Sequence, residues 1–152
     1  MKFETIQLTS ILYAIPYNAD EPIIYSLPIN EISHKLYLGN NVYTIEVTFH
    51  NGTNKYLVLH DRYVNNLKGD DISKPFINQF STFKEWNINS NDIEEDKTQY
   101  LIFDDHDKLI DEYINQFENK IEYDQKIIDR LNEEININKT KVEYIKKQKY
   151  DK

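Results

Sequence analysis

The sequence predicts an α+β protein: an antiparallel β-meander sheet with a short helix, followed by one long, coiled-coil-like C-terminal helix. Residues 34–60 combine alternating apolar residues with two turn signals, which is typical of hairpins. Residues 105–149 contain neither glycine nor proline and repeat apolar residues every seven positions. We therefore expect a sheet domain over residues 1–103 and a helical segment over residues 104–152.

The first hairpin is expected near the N-terminus. Residues 11–17 and 23–27 are strand-like and flank residues 18–22, whose types suit a turn. Pro16, Pro22 and Pro28 punctuate this stretch. They are expected to confine these strands to sheet edges or to occupy their first residues, because proline donates no backbone hydrogen bond.

The meander continues through residues 35–38 and 42–49, joined by a Gly-Asn-Asn turn at residues 39–41. An Asn-Gly signal at residues 51–52 then turns the chain into a strand over residues 55–59. Together with the first hairpin, these runs predict a sheet of about four to six strands.

The parity of apolar residues predicts the register of this last hairpin. A two-residue loop would place Leu57 opposite a glutamate on the polar face. A three-residue loop over residues 50–52 pairs Phe49 with Thr53 and places Leu57 opposite Ile45 on one apolar face. The second register is therefore expected.

The short helix is predicted after residue 72. Ser73 suits an N-cap and Pro75 suits the first turn of a helix. Phe76, Phe80 and Phe83 recur at helical spacing and, with Ile77, would form the buried face. A last strand is expected at residues 98–103.

The long helix carries an a/d heptad frame over five repeats. The a positions are all β-branched, which favours two strands in parallel, and Asp124 and Asn138 are polar exceptions at d. The alternatives are a helix packed along its own sheet or folded back near residues 132–138. The predicted dimerisation residues are Ile114, Phe117, Ile121, Ile128, Leu131, Ile135, Val142 and Ile145.

Composition limits the function classes. The chain has 152 residues and no cysteine, which excludes zinc-finger and cysteine-nucleophile chemistry and indicates a cytosolic setting. No window approaches the roughly 18 consecutive apolar residues of a membrane span. Frequent Ile, Asn, Lys and Tyr indicate an A/T-rich genome, such as that of a low-GC bacterium or its phages.

The net charge of −8 is unevenly distributed. Residues 85–112 carry ten acids against two lysines, whereas residues 139–152 carry six lysines against two acids. Carboxylates on a strand and a helix start could imitate a phosphate backbone and occupy a nucleic-acid groove, although a solvated loop has the same composition. The predicted partner-binding residues are Asp92, Glu94, Glu95, Asp96, Asp104, Asp105 and Asp107.

Catalytic motifs are lacking. Residues 104–107 have metal-ligand residue types, but carboxylates at a helix start more often accept its free N–H groups. His50 and His60 are expected to lie too far apart to share an ion. With no Gly-rich phosphate loop and no nucleophile elbow, we expect no enzyme, no metal and no cofactor.

The chain contains twelve tyrosines, more than one small core needs. Tyrosine is enriched in recognition surfaces, but an A/T-rich genome also supplies it in place of other residues. We expect that some of Tyr13, Tyr17, Tyr25, Tyr37, Tyr56 and Tyr63 are exposed.

In size, acidity, absence of cysteine and a residue usage typical of A/T-rich genomes, the chain resembles small acidic phage-encoded inhibitors, anti-CRISPR proteins among them. The resemblance rests on general character and transfers no individual residue. It implies a non-enzymatic protein in a bacterial host cytoplasm that inhibits a nucleic-acid-binding host protein, such as a Cas nuclease, and binds neither nucleic acid nor membrane. The alternative is an assembly protein that dimerises or docks through its C-terminal helix.

Overall fold

The computed structural model describes residues 10–60, 72–82 and 98–150. They form six strands and one helix: β1 (Ile11–Pro16), β2 (Tyr25–Tyr37), β3 (Asn40–Thr48), β4 (Asn54–His60), β5 (Phe76–Asn78), β6 (Tyr100–Phe103) and α1 (His106–Tyr150). The predicted α+β class is therefore confirmed. Two compact units are distinguished, residues 1–112 and residues 113–152.

The six strands form one antiparallel sheet in the order β4-β3-β2-β1-β6-β5. The sheet curls, because Ser81, just after β5, pairs with Tyr56 in β4 at the opposite edge. The two residues exchange backbone hydrogen bonds of 2.8 and 2.7 Å. The outer edge of β4 is thus partly covered by its own chain, which limits the unpaired backbone that this edge exposes.

The β3–β4 hairpin has the predicted register. Ile45 pairs with Leu57 and Tyr43 with Leu59. The Phe49 N–H donates to the Thr53 carbonyl (2.9 Å), and Gly52 has a φ of +80°, the bulged glycine of a three-residue loop.

The β2–β3 turn differs from the prediction by one residue. The turn residues are Leu38 and Gly39, with φ of +50° and +80°. A two-residue loop with two positive φ values matches the right-handed twist of its strands. The sequence signal was misread because leucine rarely adopts positive φ.

Pro16 and Pro28 also depart from expectation, because Pro16 is the last residue of β1, Pro28 lies inside β2, and both strands are interior. Residues up to Pro28 pair with β1, whereas Ile29 and later residues pair with β3, with a register shift before Glu31. A missing N–H is tolerated where the ladder is already interrupted.

The predicted short helix after Ser73 is wrong, because Phe76–Asn78 forms β5 and pairs with β6. Phe76 and Phe80 are buried as expected, whereas Phe83 lies outside the described residues. Their spacing of four suits a helix, but pairing with β6 satisfies the backbone groups of this short segment instead.

The core of the sheet consists of alternating strand residues. Leu12, Leu27, Ile45, Leu57 and Ile102 all have 0% exposure. β6 is buried at all four positions, so both of its faces are covered. This is expected for a strand whose sequence is itself an unbroken apolar run.

The helix α1 runs without interruption for 45 residues. Asp105 caps it, since its Oδ1 accepts a hydrogen bond from the Lys108 N–H (3.1 Å) and its carbonyl accepts one from Leu109 (3.0 Å). Beyond this cap, the absence of glycine and proline allows the helix to continue.

Candidate functional site

The most extensive candidate site is the apolar stripe on α1. We use "the seam" for the eight predicted dimerisation residues of the heptad frame. Seven of them are between 47% and 67% exposed, with Ile121 the most exposed, and Phe117 is half-buried. Apolar residues at a and d positions of a helix are usually covered in a folded assembly. The seam is therefore a surface that a partner could bury.

One part of the seam is already concave. A groove of about 400 Å³ is lined by Ile135, Asn138, Lys139 and Val142, together with Glu143 and Lys146. The first four residues occupy successive a, d, e and a positions. Four residues of one helix form the hole that receives a knob from the facing helix in a coiled coil. We call this group the knob hole.

One seam residue already makes a contact within α1, since the ring centres of Phe117 and Tyr113 lie 4.6 Å apart. Two polar contacts lie off the a and d positions. Lys126 pairs with Glu122 at 3.4 Å, and Gln125 Nε2 donates to Asp129 Oδ1 at 2.9 Å. Such contacts stabilise a helix by a few tenths of a kcal/mol each. These two polar contacts lie outside the seam.

A second candidate lies where β6 meets α1. A polar cleft of about 510 Å³ is lined by Tyr13, Ser73, Phe103, Asp104, Asp105, His106 and Lys108. Sequence reasoning found the acidic residues of this cleft but missed Tyr13 and Ser73, because no local pattern links them to residue 105.

The geometry of this cleft is that of a helix start. Asp105 is engaged in the cap, and the Asp107 carboxylate lies 3.1 Å from His106 Nδ1 with its side chain 92% exposed. The Tyr13 ring packs edge-on against the His106 ring. In the described parts of the chain, no three His, Asp or Glu side chains are grouped to hold a metal ion. The capping role predicted for this cluster is confirmed at Asp105.

Only part of the predicted acidic partner-binding surface lies within the described residues. Asp104, Asp105 and Asp107 lie at the start of α1, whereas Asp92, Glu94, Glu95 and Asp96 fall outside the described residues. Binding of a partner by these residues stays a prediction.

The histidines of the sheet do not converge on one site. His50 stacks on Tyr25 with ring centres 4.5 Å apart, and His34 stacks on Tyr43 at the same distance. His60 is buried at the end of β4, opposite Val42. These rings pack against the sheet, as structural aromatic contacts do.

The predicted recognition tyrosines are less accessible than an exposed surface requires. Tyr13, Tyr17, Tyr25 and Tyr56 are half-buried, and the side chains of Tyr37 and Tyr63 lie outside the description. Sequence reasoning missed an aromatic cluster in which Tyr25, Phe49, Phe80 and Tyr100 pack together. The exposed tyrosines of the described chain are Tyr123 and Tyr144, both on α1.

No protein-family model matches the chain, and no curated protein or solved structure matches it either. Within the described residues, no helix has both the length and the apolar character that crossing a membrane requires.

Proposed function

We propose that this protein is a non-enzymatic assembly protein in which α1 joins two copies of the chain through the seam. The observation that carries the proposal is the exposure of an apolar heptad stripe along most of a 45-residue helix. A second copy is the occupant that fits best, because its helix carries the same seven-residue spacing and therefore meets the knob hole in register.

The size of the seam supports a specific interface. From residue 114 to residue 145 the seam spans about 47 Å at ~1.5 Å per residue, on a helix roughly 10–12 Å in diameter. A strip of that length and width is about 470–560 Å² on each helix, from the same dimensions. Two helices together therefore bury about the ~1,000 Å² that a specific interface needs.

Two double variants test the proposal. Ile121→Asp with Ile128→Asp places charges in the centre of the seam, and we expect it to abolish dimerisation because buried, unpaired carboxylates are strongly disfavoured. Asn119→Asp with Thr140→Asp adds the same charge at outward-facing positions and is expected to leave the dimer intact. The measurement is solution mass by light scattering after size exclusion, over a range of concentrations. A wild-type protein that is monomeric at ~100 µM would contradict the proposal.

A second candidate function is inhibition of a nucleic-acid-handling host protein. It is favoured by the ten acids against two lysines in residues 85–112. Such a segment attracts the basic groove of a nucleic-acid-binding protein. Its test is to replace Asp92, Glu94, Glu95 and Asp96 with lysine and to measure displacement of DNA from a Cas nuclease. Equal displacement by the wild-type and reversed proteins would rule out phosphate imitation by these residues.

A further inference from the structure

The charges along α1 are divided between its two halves. Residues 106–129 carry seven acids against three lysines, a balance of −4. Residues 130–150 carry six basic residues against three glutamates, a balance of +3. Two such helices side by side in the same direction place like halves together. If the two helices run in opposite directions, each acidic half lies beside a basic half. The two helix dipoles are then antiparallel, which is also favourable.

From this asymmetry we infer that the two α1 helices of the dimer run antiparallel; this inference rests on the dimer of the proposed function. With the seams fully overlapped, Ile114 lies level with Ile145 of the second copy, and Ile128 lies level with Leu131. Each a position then faces a d position. The β-branched residues at a favour a parallel pair, so the orientation is decided by the charged halves of the helix and by the polar d positions.

The polar exceptions in the seam also fit the antiparallel pair. In a parallel pair, Asp124 faces Asp124 of the second copy, which sets two carboxylates against each other. In the antiparallel pair Asp124 faces Ile135, and the two carboxylates move about 16 Å apart along the axis, at ~1.5 Å per residue. Removing the like-charge contact favours this orientation.

The knob hole distinguishes the orientations in the same way. A parallel pair places Asn138 of the second copy in the hole, where it gains an amide contact with its own counterpart. An antiparallel pair places Ile121 there, between Ile135 and Val142. An apolar knob suits the apolar walls formed by Ile135 and Val142. Compared with the parallel pair, the antiparallel pair loses one amide contact but gains burial of Ile121 and attraction between the charged halves.

The antiparallel pair has a consequence for assembly. The helix begins three residues after β6 ends. In the overlapped pair the two helix starts lie at opposite ends, about 70 Å apart at ~1.5 Å per residue. The chain segments that lead into α1 therefore enter the pair from its two ends.

Spin labels on single cysteines test the orientation, because the chain has no cysteine of its own. Glu133→Cys and Lys147→Cys are both outward-facing positions of the heptad, so labelling them leaves the seam intact. For each labelled full-length protein, the distance between the two labels is measured by pulsed electron paramagnetic resonance.

In the antiparallel pair the labels at residue 133 are about 25 Å apart and those at residue 147 are about 55 Å apart, from the ~1.5 Å rise and an interaxial distance of ~10 Å. A distance near 25 Å at both positions would show a parallel dimer and overturn the inference while the dimer stands. Any other distance at residue 147 would overturn the full overlap. If neither position gives a distance, the dimer itself fails and this inference with it.

Discussion

The apolar residues of the sheet and those of α1 follow equally regular patterns, but they differ in exposure. Ile45 and Leu57 in the sheet have 0% exposure, whereas Ile121 and Ile128 in the helix are 67% and 49% exposed. The sheet residues stabilise the fold of a single chain. The helix residues gain their stabilisation only when something else covers them, which is why we assign assembly to the helix.

The largest expected effect separates these two roles. Ile45→Ala should lower the free energy of unfolding of the sheet by about 2–5 kcal/mol, because it leaves a cavity in a packed core. Ile128→Ala should leave that free energy within about 0.5 kcal/mol and weaken dimerisation instead. Near-UV circular dichroism during denaturation follows the tyrosines of the sheet, and light scattering follows the mass.

A control for this comparison is Ile77→Ala, since Ile77 lies in the sheet but is 45% exposed. It should cost much less than Ile45→Ala and should not affect the mass. If Ile128→Ala destabilised the sheet as strongly as Ile45→Ala, the seam would be part of the core of its own chain, and the division of roles would be wrong.

A smaller effect is expected where the two regions join. Asp105→Ala should destabilise the start of α1 by about 1 kcal/mol, because the Lys108 N–H loses its acceptor. Asp105→Asn retains an acceptor and should be nearly neutral. Asp107→Ala is the matched control, as its side chain is 92% exposed and makes no cap. Ellipticity at 222 nm during thermal unfolding measures the difference, and equal losses for Asp105→Ala and Asp107→Ala would refute the capping role.

The smallest expected effect concerns the sheet alone. Leu38→Asn should stabilise the sheet by about 0.5–1 kcal/mol, because Asn-Gly suits a turn with two positive φ values and leucine at φ +50° is strained. Leu36→Asn, at a 71% exposed position within β2, is the control and should give no gain. Denaturant midpoints measure both. A loss of stability in Leu38→Asn would mean that the Leu38 side chain stabilises the sheet by more than its positive φ destabilises it.

Local patterns predicted the features that neighbouring residues decide. The parity of Ile45 and Leu57 about residues 50–52 fixed the hairpin register, because a shift of one residue would turn every apolar side chain to the wrong face. The seven-residue repeat likewise predicted α1 and its seam. The candidate site on the helix was therefore readable from the sequence, including the four positions of the knob hole.

Apart from the β2–β3 turn, the errors fall where distant residues decide. Phe76 and Phe80 have helical spacing, but the segment became β5 because β6, contributed by residues 100–103, supplied a pairing partner. Pro28 was expected on an edge strand or at the first residue of a strand, but β2 is interior and continues through it by changing from one neighbour to the other. Neither outcome has a signal within a few residues.

The sequence by itself determined the hairpin register, the length of α1 and the composition of its seam, because hydrophobic periodicity and turn chemistry act between close neighbours. Tertiary structure alone decided that β6 lies between β1 and β5 and that Ser81 pairs with Tyr56 across the curled sheet. Those contacts join residues far apart in the chain, and they form only when burial of the shared core offsets the entropy of bringing such segments together.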